Sequence, residues 1–485
     1  MISIVEQVFR FGQDHPEKSA LINGKVSRSY REMLGGIVFA RDVLSEKYGI
    51  KSGDKIILAA DKQLEFVSVY FACHLIGAAA LPIAPDTNEK RYEFIRAATE
   101  PGLVIGIGEA GDGSAHASLS DFAGIAEEYD AESLGFPAPE TTADILFTTG
   151  TTGEPKGVRL SHRNIAAAAR NINTFIENRT EDVEMLALPI SHSFGLGRMR
   201  CALSNGQSLV MLGSFANVKR FFRFIGEYRV NGFGMVPASW AMLKKLSGER
   251  IGEFRDVLRY IEIGSAPMPL ADKHLLMELL PDTRICMHYG LTEASRSAFI
   301  EFHSESSHLD TVGRQSPNMT ISIKDEEGRD VPAGEEGEIC VMGDAVTDGY
   351  IGLDNSGTFH GEFFRTGDWG SKDAYGYITL RSRKKELINV GGKKVSPAEV
   401  EEVLDAFDFV KDCACIGAPD PEGILGEVVK AFIVTDDPEK VSFDAVDPLI
   451  GGSLEGFKHP AIYEVISEIP KTSSGKVQRL MLKDR

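Results

Sequence analysis

The chain has 485 residues, of which 43% are hydrophobic and 25% are charged, a mixture that is typical of a globular protein and excludes a fibrous or disordered one. This length predicts two or three domains. The 52 basic and 71 acidic side chains give a formal net charge of -19. Such a charge argues against nucleic acid or an anionic membrane as a bulk partner, but it allows a local basic site for a small polyanion.

The first residues, Met1-Ile-Ser-Ile-Val-Glu6, lack the basic start and apolar run of a signal peptide. The longest uncharged apolar stretch, at about 71–85, is too short to span a bilayer and predicts a buried helix that leads into a strand. We therefore expect a cytoplasmic protein without a membrane span. The six cysteines have neither redox nor zinc spacing and predict reduced, mostly buried thiols.

Apolar strand-like runs alternate with amphipathic helical runs over most of the chain. This alternation predicts α/β layers with largely parallel sheets. The runs that carry the prediction are 55–60, 64–77, 79–83, 182–189, 208–212, 218–228 and 232–236.

From about Thr320 the pattern changes to short strands separated by glycine and acidic turns, which predicts an antiparallel β subdomain at about 311–384. We place a domain boundary near Lys385, between domains at 1–384 and 385–485. In the second domain we expect a helix at 396–407, in which Ser396 is the N-cap, Pro397 occupies the first turn and Glu399 completes a capping box.

The segment Ile145-Leu-Phe-Thr-Thr-Gly-Thr-Thr-Gly-Glu-Pro-Lys-Gly157 places a glycine- and threonine-rich loop directly after an apolar strand. Glycines let backbone N–H groups converge on an anion, hydroxyls add donors and a lysine adds charge, so the segment predicts a phosphate-binding loop. It is not a Walker A motif, because Pro155 precedes the lysine. The candidate phosphate-binding residues are Thr148, Thr149, Gly150, Thr151, Thr152, Gly153 and Lys156.

This loop resembles the signature Ser/Thr-Gly-Thr-Thr-Gly-x-Pro-Lys-Gly of the AMP-forming adenylating enzyme superfamily, which includes acyl-CoA synthetases, nonribosomal peptide adenylation domains and luciferases. Thr149 stands where serine is commoner. The resemblance implies a large N-terminal domain of α/β layers with a β subdomain, followed by a small mobile α+β C-terminal domain. It covers nearly the whole chain, because further motifs follow in order.

Two further segments resemble the superfamily's nucleotide motifs. Gly264, Ser265 and Ala266 resemble the turn whose backbone lies along adenine. The segment that begins with Tyr289 and Gly290 and ends with Thr292 and Glu293 resembles the motif that provides a stacking ring, a phosphate donor and a Mg²⁺ ligand. His288 departs from the family pattern, which has a small or neutral residue there, and this departure could alter the adenine edge of the site.

The motif around Asp368 resembles the one whose aspartate accepts both ribose hydroxyls, and the resemblance places Arg383 against the ribose or phosphate. The segment from Gly337 to Tyr350 resembles a structural motif, to which we assign no chemistry.

The acyl pocket implied by the resemblance has walls at His192, Phe194, Met235, Val236 and Leu291. These side chains are mostly apolar, which suits a fatty or aromatic acid. Relatives that activate amino acids commonly place an aspartate near positions 234–235, where this chain has Gly234 and Met235, so a free α-amino acid is not the expected substrate.

The segment 381–394 has six basic residues and one acidic residue, in contrast to the negative net charge of the whole chain. This local positive charge suits a phosphate-bearing cosubstrate such as CoA. Lys385 falls on the hinge position of the family, with Ser382 in place of the usual glycine. Gly391 and Gly392 would line the channel for the thiol. Near the C-terminus, Lys476 matches the family's catalytic lysine.

The motif series implies a ligase that uses ATP and Mg²⁺ to activate a small-molecule carboxylic acid and then passes the acyl group to CoA. Thr292, Glu293 and Lys476 would be the catalytic residues. Two alternatives remain: loading of the phosphopantetheine of an acyl carrier protein, or a non-catalytic adenylate-binding protein. The acid, the acceptor and the oligomeric state stay open.

Overall fold

The computed structural model describes residues 2–24, 26–108, 113–148, 155–391, 393–436, 454–471 and 477–483. The chain divides into two compact units. Of the described residues, the first unit contains those up to Ile321 together with Val341–Phe364, and the second contains Ser322–Cys340 and those from Arg365 onward. Across these ranges no helix is both long and apolar enough to cross a membrane.

The first unit alternates strands and helices from its beginning. Its strands are β1 (Ser19–Asn23), β2 (Val26–Ser29), β3 (Lys55–Ala59), β4 (Ala79–Ile83), β5 (Leu103–Ile105), β6 (His116–Ala117), β7 (Thr142–Phe147), β8 (Gly157–Ser161), β9 (Val183–Leu186), β10 (Ser208–Met211), β11 (Gly232–Met235), β12 (Tyr260–Ile263), β13 (Arg284–Tyr289), β14 (Ala298–Glu301) and β15 (Arg314–Gln315). Its α-helices are α1 (Ile4–Asp14), α2 (Tyr30–Asp42), α3 (Leu64–Ile76), α4 (Glu89–Thr99), α5 (His162–Ile176), α6 (Ser193–Ser204), α7 (Val218–Tyr228), α8 (Pro237–Ser247) and α9 (Leu270–Leu279).

These strands form two sheets. Among the described residues the larger has nine strands in the order β15-β14-β13-β12-β11-β9-β10-β1-β2, and the smaller has six in the order β6-β5-β3-β4-β7-β8. Their central strands run parallel, from β13 to β1 in the first sheet and from β6 to β7 in the second. All five residues of β4 are buried, as expected for a parallel strand that is covered on both faces.

The remaining strands begin at Thr320. They are β16 (Thr320–Lys324), β17 (Glu336–Met342), β18 (Phe359–His360), β19 (Phe363–Lys372), β20 (Ile378–Arg383), β21 (Ile388–Val390), β22 (Lys393–Val395), β23 (Asp412–Pro419), β24 (Glu427–Val434) and β25 (Pro460–Val465), with helices α10 (Pro397–Asp405) and α11 (Leu480–Lys483). The strands β16, β17, β19, β18 and β20 form one sheet, in which β19 pairs antiparallel with both β18 and β20. A hairpin of β21 and β22 and a sheet of β23, β24 and β25 follow.

The predicted α/β class is confirmed, and so is the buried helix that leads into a strand, here α3 followed by β4. The antiparallel strands after Thr320 are also present. All six cysteines lie within the described ranges, where they are buried and free. The boundary near Lys385 stays a prediction.

The expected capping box at the start of α10 is wrong. The helix begins at Pro397 and ends at Asp405, and the Ser396 side chain makes no capping hydrogen bond. Its hydroxyl instead donates to the carbonyl oxygen of Arg381 at 2.8 Å. The Glu399 carboxylate accepts from Lys458. Tertiary partners therefore replace the local contacts that the sequence pattern predicts.

Candidate active site

The base of the glycine-rich loop is a β-hairpin. Strands β7 and β8 pair antiparallel, with Phe147 opposite Gly157. Beyond this pair, the backbone N–H of Thr148 donates to the carbonyl oxygen of Lys156 at 3.0 Å, and the N–H of Lys156 donates to Oγ1 of Thr148 at 3.3 Å. The loop is therefore closed at its base by two residues of the predicted set. The other candidates in the loop, Thr149, Gly150, Thr151, Thr152 and Gly153, lie outside the described residues.

Tyr350 joins this loop to the motif that contains Glu293. The ammonium of Lys156 lies 4.8 Å from the centre of the Tyr350 ring, within the range of a cation–π contact. The Tyr350 hydroxyl donates to Oε1 of Glu293 at 2.8 Å. The backbone brings these groups together, because Tyr350 forms a bridge with Val158 of β8.

The sequence pattern gives no chemical role to the segment that ends at Tyr350. The contact with Glu293 spans 57 positions of the chain, so no local pattern shows it. The available signal was a Gly-Tyr pair at the end of a motif, and that pattern equally fits a turn.

The donor set at Glu293 fits a magnesium ion. One carboxylate oxygen accepts from Tyr350, and Oε2 has no hydrogen-bond partner among the residues that the structure describes. Those residues also contain no cluster of three or more His, Cys, Asp or Glu side chains that could hold a metal. Mg²⁺ in nucleotide sites is commonly held by one or two carboxylates, with phosphate and water oxygens as its other ligands. Glu293 is 9% exposed, which suits that role.

A tight turn positions Thr292 and Glu293 directly after β13. The N–H of Leu291 donates to the carbonyl oxygen of Ala294 at 3.1 Å. Gly290 allows the turn to close, because a Cβ atom there would lie 2.5 Å from the backbone nitrogen of Arg296. Tyr289, the predicted stacking ring, is 8% exposed, and Thr292 is half-buried.

His288 fills the space beside the turn that begins at Gly264. A Cβ atom on Gly264 would lie 2.1 Å from Cε1 of the His288 ring, so glycine is required for this packing. Ser265 follows with a φ of +76°, a left-handed conformation that costs a non-glycine residue about 1–2 kcal/mol. The imidazole also packs edge-on against Phe194, with ring centroids 4.7 Å apart. The departure from the family pattern at position 288 therefore brings the predicted adenine turn and a predicted acyl wall into contact with one ring.

Buried charged side chains surround the carboxylate that contacts the His288 imidazole. Oε1 of Glu262 lies 2.7 Å from Nδ1 of His288 and 2.9 Å from Nε of Arg296. Burial by itself would raise the pKa of the Glu262 carboxyl, but Arg296, His288 and Arg198 hold it well below its usual range. Burial lowers the pKa of the His288 imidazole, although Glu262 opposes that shift.

Arg296 links this cluster to the start of α6. It has a φ of +52° and donates to the carbonyl oxygens of Ser193 at 3.3 Å and Phe194 at 3.2 Å. The position of Phe194 thus depends on the same network of buried charges.

The predicted acyl walls differ in burial. Phe194 and Met235 are 6% and 0% exposed, and both belong to one apolar cluster. Val236 and Leu291 are half-buried, as are Ser265 and Ala266 of the predicted adenine turn, and His192 is exposed. The surrounding protein and the positive charge of Arg91 lower the pKa of His192. The structure therefore groups Phe194 and Met235 with His288 in the interior, while the other walls remain accessible.

Lys62 forms long-range contacts that no sequence pattern predicts. Its ammonium donates to the carbonyl oxygens of Ala187 at 2.6 Å, Leu212 at 3.0 Å and Gly213 at 3.0 Å. These carbonyls follow the ends of β9 and β10, while Lys62 follows β3 of the other sheet. The contact therefore ties the two sheets of the first unit together just before the segment that contains His192. A lone lysine in a loop carries no sequence signal of this role.

In the second unit, Asp368 and Arg383 lie opposite each other on β19 and β20. Oδ1 of Asp368 is 2.8 Å from Nε of Arg383, and the arginine also donates to the carbonyl oxygen of Thr366 at 3.1 Å. The Asp368 side chain is 6% exposed, whereas that of Arg383 is 41% exposed. The pairing of these two predicted ribose-binding residues was not visible in the sequence, because it depends on strand register.

The predicted hinge residue, Lys385, is exposed and lies at the centre of a short 3₁₀ turn. Its neighbours are both held: Lys384 lies 3.2 Å from Glu338, and Glu386 lies 3.0 Å from Arg479. Gly391 has a φ of +57° and donates to the carbonyl oxygen of Leu425 at 3.0 Å. The other predicted residues of this unit, Gly392 and Lys476, lie outside the described residues.

Two family models match this chain. The model described as AMP-binding enzyme matches residues 8–351, and the model described as AMP-binding enzyme C-terminal domain matches residues 399–476. Together they span the sequence motifs described above, except those that lie between residues 351 and 399.

Characterised relatives cover nearly the whole chain. A fatty acid–[acyl-carrier-protein] ligase, ScoC from Streptomyces coeruleorubidus, is 29% identical over 90% of this chain and 88% of its own length. A 2-succinylbenzoate–CoA ligase from Bacillus velezensis is 28% identical over 97% of this chain and 95% of its own. Among solved structures, ATP-bound MatB from Rhodopseudomonas palustris superposes with a TM-score of 0.89 at 26% identity, over 99% of this chain and 98% of MatB.

Proposed function

Because the chain belongs to the AMP-binding enzyme family, we propose that it is an ATP-dependent acid–thiol ligase. It activates a small-molecule carboxylic acid as the acyl-adenylate, releases pyrophosphate and transfers the acyl group to the thiol of CoA. The named CoA ligases among its relatives support this reaction class.

One observation in the structure carries the proposal furthest. Lys156 and Glu293 come from motifs far apart in the chain, and both contact Tyr350. A cation of the predicted phosphate-binding loop and a carboxylate suited to Mg²⁺ thus both contact the Tyr350 side chain. Together they provide charge of both signs for a metal-bound polyphosphate.

In the first half-reaction, a carboxylate oxygen of the acid attacks the α-phosphorus of ATP. A new oxygen–phosphorus bond forms, and the bond between the α-phosphorus and the bridging oxygen of pyrophosphate breaks. Lys156 and the loop hold the phosphates, while Thr292 donates to a phosphate oxygen. By resemblance, Lys476 balances the charge on the carboxylate and the α-phosphoryl group. A magnesium ion at Glu293 would neutralise charge on the phosphate oxygens.

By resemblance, the ribose of the nucleotide is assigned to Asp368 and Arg383. The Asp368 carboxylate accepts the two ribose hydroxyls, and Arg383 stays paired with it while its more exposed side chain reaches the ribose or phosphate. Because Asp368 is nearly buried, the arginine keeps its acceptor oxygens oriented.

In the second half-reaction, the sulfur of CoA attacks the acyl carbon, the thioester bond forms and AMP leaves with the electron pair of the broken anhydride bond. The hinge at Lys385 would rotate the C-terminal domain between the two half-reactions, and the Gly391-Gly392 segment would then line the path of the pantetheine arm.

Acid-dependent ATP–pyrophosphate exchange tests the first half-reaction. The assay is run with short, medium and long fatty acids, benzoates and cinnamates. At least one acid should stimulate exchange well above the rate without acid, and Lys476→Ala should lower it by about 10²–10³-fold. A folded wild-type protein that exchanges with none of these acids would contradict the proposal.

The hinge assignment has its own test. Lys385→Pro should retain pyrophosphate exchange but lose thioester formation from supplied acyl-adenylate and CoA, whereas Lys476→Ala should show the reverse pattern. Lys385→Ala is the matched control, because it removes the same ammonium but preserves backbone freedom. Equal loss of both half-reactions in the two variants would refute a hinge at this position.

A second candidate acceptor is the phosphopantetheine of an acyl carrier protein. The observation that favours it is the 29% identity to a fatty acid–[acyl-carrier-protein] ligase. Comparing the rate of thioester formation with CoA and with a phosphopantetheinylated carrier protein, using the acid that supports exchange, separates the two acceptors.

A further inference from the structure

Arg91 lies at the entrance of the glycine-rich loop, although no motif of the sequence includes it. It is the third residue of α4, and its backbone N–H donates to the side chain of Asn88, the N-cap, at 3.0 Å. From this first helical turn, Nη2 donates to the carbonyl oxygens of Phe147 at 3.2 Å and Thr148 at 3.4 Å. These carbonyls belong to the last residue of β7 and the first residue of the loop.

The helix also packs on the same strand end. The rings of Phe94 and Phe147 meet edge-on with centroids 6.3 Å apart. Two contacts of different kinds, one aromatic and one polar, therefore hold the start of α4 against the point where the chain leaves β7. Movement of the Arg91 side chain would release the carbonyl of Thr148, whose own N–H and hydroxyl close the base of the loop.

Arg91 has no acidic partner among the described residues, although the chain has 71 acidic side chains and a net charge of -19. Arg96, one turn later on the same helix, lies 3.5 Å from Glu93. Within the described ranges, Nε and Nη1 of Arg91 make no hydrogen bond. Burial lowers the pKa of the Arg91 guanidinium. A cation in this position favours an anionic ligand.

We propose that Arg91 is a positioning residue that holds the entrance of the glycine-rich loop and adds positive charge for the triphosphate of ATP. Nη2 orients the loop through the carbonyls of Phe147 and Thr148, which leaves Nε and Nη1 as donors for the bound polyphosphate. This inference rests on the proposed function, because it assigns ATP to the loop.

The test compares Arg91→Met, Arg91→Gln and Arg91→Lys with wild type. Lys90→Met is the matched control, since Lys90 is the preceding residue of the same helix and is exposed. The dissociation constant for Mg·ATP is measured by calorimetry, KM values for ATP and for the acid come from pyrophosphate exchange, and thermal unfolding reports the fold.

Arg91→Met should weaken Mg·ATP binding by about tenfold, as expected for the loss of a charge-assisted contact, with the KM for the acid changed less than twofold. Arg91→Lys should recover most of the affinity, because an ammonium can donate to the same carbonyls. Arg91→Gln should recover less and should show a weaker dependence of ATP affinity on ionic strength than wild type. Lys90→Met should match wild type.

The proposal is overturned if a folded Arg91→Met variant binds Mg·ATP as tightly as wild type, or if the KM for the acid rises while ATP affinity is unchanged. Should Arg91→Met fail to fold, equal ATP affinity and equal salt dependence for Arg91→Gln and wild type would overturn it instead. A wild-type protein that binds Mg·ATP but shows no acid-dependent exchange would contradict the proposed function and leave the binding comparison among variants intact as a separate result.

Discussion

Replacing Tyr350 by phenylalanine removes a single oxygen atom from the centre of the candidate site. The ring that lies 4.8 Å from the ammonium of Lys156 stays in place, and phenylalanine retains a cation–π contact. What is lost is the hydroxyl that donates to Oε1 of Glu293 at 2.8 Å. The substitution therefore tests the orientation of Glu293 without disturbing the apolar packing of the ring.

The expected magnitude follows from the charge and burial of the acceptor. A hydrogen bond to a charged group contributes about 1.5–3 kcal/mol, which corresponds to roughly 10–100-fold in an equilibrium or rate constant. Glu293 is 9% exposed, so water can partly replace the lost donor. We therefore expect the lower end of this range, with kcat for pyrophosphate exchange reduced about tenfold and the Mg²⁺ concentration for half-maximal activity raised.

The assay is pyrophosphate exchange at saturating ATP across a Mg²⁺ titration, together with thermal unfolding. Tyr375→Phe is the matched control, since Tyr375 is 80% exposed and should give wild-type values. The reasoning is refuted if Tyr350→Phe has wild-type kcat and Mg²⁺ dependence while Glu293→Gln is inactive, because Glu293 would then need no donor from Tyr350.

Three further substitutions test the surroundings of the site. Lys62→Met should lower the free energy of unfolding in urea by about 1–3 kcal/mol, because it removes the donor shared by three carbonyl oxygens. The control Lys51→Met, at an exposed lysine, should change this free energy by less than about 0.5 kcal/mol, and similar values for both variants would contradict the role of Lys62. Gly264→Ala should reduce stability by about 1–3 kcal/mol by overpacking and impair exchange, and a second change, His288→Ala, should restore both; failure of this rescue would show that the clash lies elsewhere. Burial, with a contribution from His74, lowers the pKa of His162 to about 3, below its unfolded value of about 6.5, so the free energy of unfolding decreases as the pH falls from 6.5 towards 3. Between pH 7 and pH 4.5, the His162→Phe variant should therefore lose roughly 2–3 kcal/mol less of this free energy than wild type in urea titrations. Equal losses would disprove the assignment.

The amino-acid sequence by itself determined the elements of the first unit and the family. Buried parallel strands such as β4 appear as continuous apolar runs, and amphipathic helices such as α7 appear as a 3.6-residue repeat, so both are encoded in local patterns. The resemblance drawn from the glycine-rich loop is confirmed by the two family models. Such a motif is also local, because a loop that binds phosphate needs neighbouring glycines, hydroxyls and a lysine. The individual site assignments, including Lys476 and Lys385, stay predictions.

The tertiary structure alone decided which distant groups meet. The contact of Tyr350 with Glu293, the packing of His288 on Gly264 and the capture of three carbonyls by Lys62 join positions that are 57, 24 and up to 151 residues apart. Strand register, the closing of turns and the packing of one sheet against another create these contacts, and periodicity carries no information about any of them. The same reason explains the failed capping box at Ser396: the local pattern is present in the sequence, but in the folded chain Ser396 donates to Arg381 and Glu399 accepts from Lys458. Local patterns thus predicted a phosphate-binding loop, and long-range packing decided which of the described side chains meet at its base.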